Sequence, residues 1–132
     1  MILFLPGVSL MTATAPEVDE APRAAILDAA RAPVAEQLGK PVRFLVHALN
    51  RQGDWAFLHA AMQDRAGRPV DYAGTPLAED AEHGLRSKDY AALLRRERGG
   101  WRVVAHAIGP TDVVWLDWPA RHRAPPAVLP RY

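Results

Sequence analysis

The stretch GGWRVVAHAIGPTDVVWLDWP, residues Gly99 to Pro119, decides how this chain is read. It opens on a two-glycine turn, runs through an apolar strand to Ile108, breaks at Gly109-Pro110 and closes in a segment with two of the four tryptophans. Trp101 opens the strand itself. Aromatic side chains bury more area than any others, so three Trp within about twenty residues mark the centre of a small domain. No stretch has the spacing of a catalytic, metal or phosphate motif. The sequence therefore specifies a fold and a few sites more strongly than an activity.

Working outward, the strand ending at Ile108 pairs back onto Asp89 to Arg95 across Glu97-Arg98-Gly99-Gly100. An earlier pair, Val42 to Leu49 with Trp55 to Met62 across Asn50 to Asp54, has the same plan. In both, a turn containing glycine delivers a Trp to the start of the return strand. The four strands are apolar on both parities, so both sheet faces need covering. N-terminal to them, Ile26, Ala30, Val34 and Leu38 recur every four residues from Ala21 to Leu38. That spacing predicts one amphipathic helix, started by Pro22 and stopped by Gly39 and Pro41. Pro33 within it removes a backbone hydrogen bond at a cost of about 3 kcal/mol and predicts a kink. A helix covers one face only; the other is expected to meet the tail, a long loop or a second subunit. Between the hairpins, Gln63 to Lys88 is too long for an ordinary connection and reads as a binding loop or lid, with Thr75-Pro76 starting a short helix that Gly84 ends.

The order helix then two hairpins predicts an α+β fold, a long N-terminal helix packed on a curved four-stranded antiparallel sheet. At 132 residues and a formal charge of +1, one domain is expected, 21–132, without a nucleic-acid partner. Cysteine is absent, which excludes thiolate catalysis and Cys-ligated zinc. Residues 1–20 read as a leader or unstructured segment. MILFLPGVSLMTATA is uncharged, has an apolar run from Ile2 to Leu5 and ends in Ala13-Thr14-Ala15, the small-x-small pattern of a signal-peptidase site. It lacks the basic start of such a signal and is too short to span a bilayer, which takes about 20 apolar residues. The expected location is periplasmic or secreted, with the cytoplasm as the alternative.

The element order resembles cystatin-like and NTF2-like rolls. A closer resemblance is to a group of small, exported Gram-negative bacterial proteins. It is carried by Ile26-Leu27-Asp28, Arg31-Ala32-Pro33-Val34, Leu38-Gly39-Lys40-Pro41-Val42-Arg43-Phe44, Gly53-Asp54-Trp55-Ala56-Phe57, Gly67-Arg68-Pro69 and, most specifically, Gly109-Pro110-Thr111-Asp112-Val113-Val114-Trp115-Leu116-Asp117-Trp118-Pro119. The resemblance implies export and brings no activity. The Gln-x-Val-x-Gly segment of protease-inhibiting cystatins is missing, so inhibition does not follow from it.

Asp112 and Asp117, flanked by Trp115 and Trp118, form the main candidate site. A carboxylate against indole rings serves as a general base or grips a ligand; the same residues also serve as turn and helix caps, with the rings closing the core. Analogy with NTF2-like pockets adds Tyr72 from the long loop. Trp118 and Arg121, three residues apart, are spaced for a cation–π pair. His47, His59 and His106 lie on three strands. If Trp55 and Trp101 are equivalent, His59 shares its tryptophan's face while His106 points to the other, so no shared metal site is expected. With Ser9 and Ser87 the only serines, a serine nucleophile in an elbow is excluded.

The chain is thus read as an exported binding or interaction domain without catalytic residues, metal or cofactor, with a homodimer or protein partner expected across the second sheet face. The alternative is an NTF2-like small-molecule-binding protein or enzyme with a pocket lined by Trp115, Trp118 and Tyr72.

Overall fold

The computed structural model describes residues 18–131, which form an α+β fold. A helix, α1 (Glu20–Leu38), precedes strands β1 (Arg43–Gln52) and β2 (Trp55–Gln63). A short helix α2 (Ala78–Glu82) follows, then β3 (Asp89–Glu97) and β4 (Gly100–Ile108), and finally α3 (Trp118–His122) and a 3₁₀ turn (Pro126–Val128). The strands make one antiparallel sheet in sequence order, β1-β2-β3-β4. The export reading of residues 1–15 lies outside the described residues.

The stripe Ile26, Ala30, Val34 and Leu38 is the buried face of α1, and the helix runs unbroken through Pro33. Opposite it stand Ala56, Leu58, Ala60 and Met62 of β2 and Tyr90, Ala92 and Leu94 of β3, all buried, with Phe44 stacked on Tyr90 at 5.3 Å between ring centres. The ladders extend further than the apolar pattern: Gln52 still pairs with Trp55 and Glu97 with Gly100, leaving two-residue turns. Polar side chains at the sheet end do not interrupt backbone pairing. Arg98 and Gly99 both have positive φ, as the tight turn matching the twist of two antiparallel strands requires.

The second face carries Phe57, Ala91 and Leu93, covered by Trp115, Trp118, Ala124 and Val128 from the chain after β4. Phe57 lies 5.7 Å from the Trp115 ring and 6.4 Å from that of Trp118. The premise for a second subunit, a bare second face, is therefore corrected: the chain's own C-terminal segment covers it. The equivalence of Trp55 and Trp101 is also corrected. Trp101 packs on the helix side and Trp55 on the other, and both are only half-buried. Each lies under a guanidinium instead, Arg51 at 5.3 Å from Trp101 and Arg95 at 5.4 Å from Trp55.

Bulges decide these sides. In β1 the pairing passes from Val46↔Ala60 to Ala48↔His59, leaving His47 unpaired in the ladder; in β4 it passes from Val103↔Leu94 to Ala105↔Leu93, leaving Val104. One extra residue reverses the face of everything beyond it.

The exit from β4 is the tightest point. Gly109 has φ +71°, its N–H donates to the Asp89 carbonyl at 2.7 Å, and its carbonyl accepts from the Ser87 N–H at 2.9 Å. A Cβ there would stand 2.7 Å from the Tyr72 hydroxyl and 2.8 Å from the Ser87 carbonyl oxygen. Gly109→Ala combines left-handed backbone with an overlap against main chain and is expected to cost about 3 kcal/mol or more in urea unfolding. Gly99→Ala shares the backbone cost (φ +82°) but meets nothing within 4 Å, and is expected to cost about 1 to 2 kcal/mol. Equal losses would show that close approach at Gly109 contributes nothing.

Candidate binding cleft

The turn at Gly109 sends the chain across the second face, and a cleft of about 460 Å³ opens where it leaves the sheet. Its sheet-side lining is His59 of β2 with Ser87 and Asp89 at the start of β3; its outer lining is Pro110, Thr111, Asp112, Val113 and Trp115. The two sides are tied together. The Ser87 hydroxyl donates to the Pro110 carbonyl and accepts from the Asp89 N–H at 3.1 Å, and Arg86 Nη1 donates to the Ile108 carbonyl at 2.7 Å. Asp112 turns back on its own loop, Oδ1 accepting from the Val113 N–H at 2.7 Å.

His59 and Asp89 are diagonal neighbours on one face, because His59 pairs with Ala91 and Asp89 with Ala61. Their side chains meet with His59 Nε2 at 3.1 Å from Asp89 Oδ2. An ionised carboxylate only accepts, so His59 donates from Nε2 to it. The β1 bulge brings His47 to the same place: its Nε2 is 3.8 Å from Asp89 Oδ1, and its ring stands edge-on to that of His59 at 5.0 Å. On the other side His59 packs against Trp115 at 4.9 Å. The result is a carboxylate flanked by two imidazoles with an indole behind them. Among the described residues no group of three His, Asp or Glu is arranged to hold a metal ion.

Of the residues marked in the sequence, Asp112 and Trp115 line the cleft. Trp118 is buried beneath it against Phe57, and Asp117 lies outside, exposed. Asp117 occupies the N-cap position of α3 without a side-chain cap, its carboxylate 3.6 Å from Arg121. Arg121 is thus paired with Asp117 one helical turn away. Tyr72 requires correction: it is buried on the helix side of the sheet, donating to the Ser87 carbonyl, with Lys88 Nζ 4.8 Å from its ring centre. Burial, more than the opposing influences of Arg86 and Asp89, pushes its hydroxyl up to about 12. A single pocket lined by Tyr72, Trp115 and Trp118 does not form, because the sheet separates the first from the other two.

The three histidines do not converge on one site, although two of them come into contact. His47 and His59 meet, whereas His106 pairs with Ala92 and faces the helix side, 6.1 Å from the Tyr90 ring. The residues missed in the sequence are Asp89 and the contact between His47 and His59. The period-two pattern contains the first, once β2 and β3 are put in register; the second depends on the bulge.

No family model matches this chain, and no curated protein does. A solved structure to which it is similar is a de novo designed β-sheet protein determined by solution NMR. It is 12% identical, the alignment covers 70% of this chain and 87% of that one, and the TM-score is 0.41. Among the described residues no helix is long and apolar enough to cross a membrane.

Desolvation lowers the His106 pKa below its ordinary 6.5. The unfolded chain then binds the proton more readily than the folded one, so this contribution is complete above about pH 6.5 and is lost as pH falls toward the folded value. His106→Gln is expected to reduce the drop in urea midpoint between about pH 7.5 and about pH 5.5 relative to the parent. An unchanged drop would show that His106 titrates alike in both states.

Proposed function

We propose that this chain is a small-molecule-binding domain whose site is the cleft beneath the Pro110–Trp115 loop. The observation that carries this reading is the convergence, around one cavity, of the Asp89–His59 pair, the Asp112 carboxylate and the apolar surfaces of Val113, Pro110 and Trp115. A concave, mostly apolar surface with a few placed polar groups is the usual form of a ligand site. The Ser87 hydroxyl is engaged in holding the loop, donating to the Pro110 carbonyl and accepting from the Asp89 N–H, which favours binding over nucleophilic chemistry.

The succession of one helix and two hairpins supports kinship with cystatin-like and NTF2-like rolls. The space such a pocket would use, between helix and sheet, is filled here by Ile26, Val34, Leu58, Met62 and Tyr90, all buried. Action outside the cytoplasm is part of the proposal and rests on the uncharged segment 1–15 and on the resemblance to exported proteins.

Crystals soaked with a fragment library test the reading. Fragments are expected to concentrate between Asp89 and Thr111, and Thr111→Trp, at an exposed position, should displace them; a library that settles elsewhere in both proteins sinks it. A second reading, contact with another copy or another protein, is favoured by Val113, Val114 and Leu116, which are 41, 47 and 62% exposed on one short segment. Native mass across a dilution series is expected to show a dimer that Leu116→Glu dissociates; a monomer at every concentration removes self-association.

A further inference from the structure

Resting on the cleft as a binding site, we infer that its ligand is a protonated organic amine carrying an oxygen acceptor on an apolar body. The cleft lining contains two carboxylates, Asp89 and Asp112, and no lysine or arginine. The neighbouring cations are held elsewhere. Lys88 Nζ donates to the Val70 carbonyl and sits over Tyr72, while Arg86 is bound to Asp80 at 3.1 Å and to the Ile108 carbonyl. Asp89 already shares its oxygens with His59 and His47. Asp112 accepts from the Val113 N–H and has no ion pair among the described residues. It is the group best placed to meet a positive charge.

An independent feature points to the ligand's oxygen. Trp115 is 3% exposed, lines the cleft, and keeps its indole N–H buried with no acceptor among the described residues. Buried donors are nearly always satisfied. This one is closed off from the cleft in the structure, so binding includes a small turn of the indole that presents its N–H to a hydroxyl or carbonyl oxygen beside the amine. Val113 and Pro110 supply contact for the apolar body, and the charge-assisted bond to Asp112 supplies selectivity.

Four probes of similar size separate these elements: phenylalaninol, phenethylamine, 3-phenylpropanol and 3-phenylpropanoate, each titrated into ¹⁵N-labelled protein and followed by NMR. Phenylalaninol is expected to bind tightest and move the Trp115 indole N–H and the Thr111 and Val113 amides. Phenethylamine should bind several-fold more weakly without moving the indole signal, and the neutral alcohol about tenfold more weakly than phenylalaninol. Asp112→Asn should weaken both amines about tenfold and leave the alcohol unchanged, while Asp112→Glu, which keeps the charge, should bind them nearly as the parent does. Propanoate binding in the cleft as tightly as the amines would overturn the amine and leave the cleft a binding site. Amines unaffected by Asp112→Asn would overturn the role of its charge. Silence of the cleft signals to all four probes would overturn this inference, and failure of the fragments as well would take the binding reading with it.

Discussion

The fold turns on one close approach. Gly109 brings the end of β4 against the Ser87 carbonyl and the Tyr72 hydroxyl, closer than any side chain would permit, and two main-chain hydrogen bonds hold it there. With φ positive at that residue, the chain leaves the ladder, and the segment that follows covers the face opposite α1. Proline follows and cannot donate to the ladder, so the strand ends there. The indoles of Trp115 and Trp118 are thereby delivered onto Phe57, and the second sheet face is buried without help from another chain.

This constraint also explains why the cleft exists where it does. The segment after Pro110 is anchored at Ser87 and again through Trp115, and the cleft lies between it and the sheet. Asp89 opens β3 at the foot of that bridge, and strand pairing places His59 diagonally across from it. The His–carboxylate pair is thus a product of register. Tyr72, on the far side of the sheet, supports the same point from beneath by bonding the Ser87 carbonyl. Site and scaffold share their bonds, so groups facing the cleft are preorganised by contacts that also hold the fold.

Much of this architecture is legible in the residues. The four-residue spacing of Ile26, Ala30, Val34 and Leu38 is a direct consequence of helical geometry and marks the face that α1 buries. The four strands stand out by their apolar content and glycine turns. What the chain does not advertise is which residue of RFLVHAL or WRVVAHAI is the extra one. Segments apolar on both parities carry no signal for a one-residue slip, yet the slip decides that His47 meets His59 and that Trp101 and Trp55 part. Tyr72 illustrates a second limit. The path of a long loop is set by distant contacts, such as Lys40 Nζ on the Asp71 carbonyl at 2.9 Å, and local composition does not reveal them. Asp112 and Trp115 meet in one lining because both lie within a single short segment.

Both bulges fall on β1 and β4, the outer strands of the sheet, and none is seen between β2 and β3. An open sheet presents unsatisfied amides and carbonyls along its two borders, an invitation for further chains to add on in register. A residue looped out of each border spoils that template, locally twisting the backbone away from a straight row of donors and acceptors. The same irregularity that carries His47 to Asp89 thus also interrupts the straight row of donors and acceptors along that border, so one looped-out residue shapes both the cleft and the margin of the sheet.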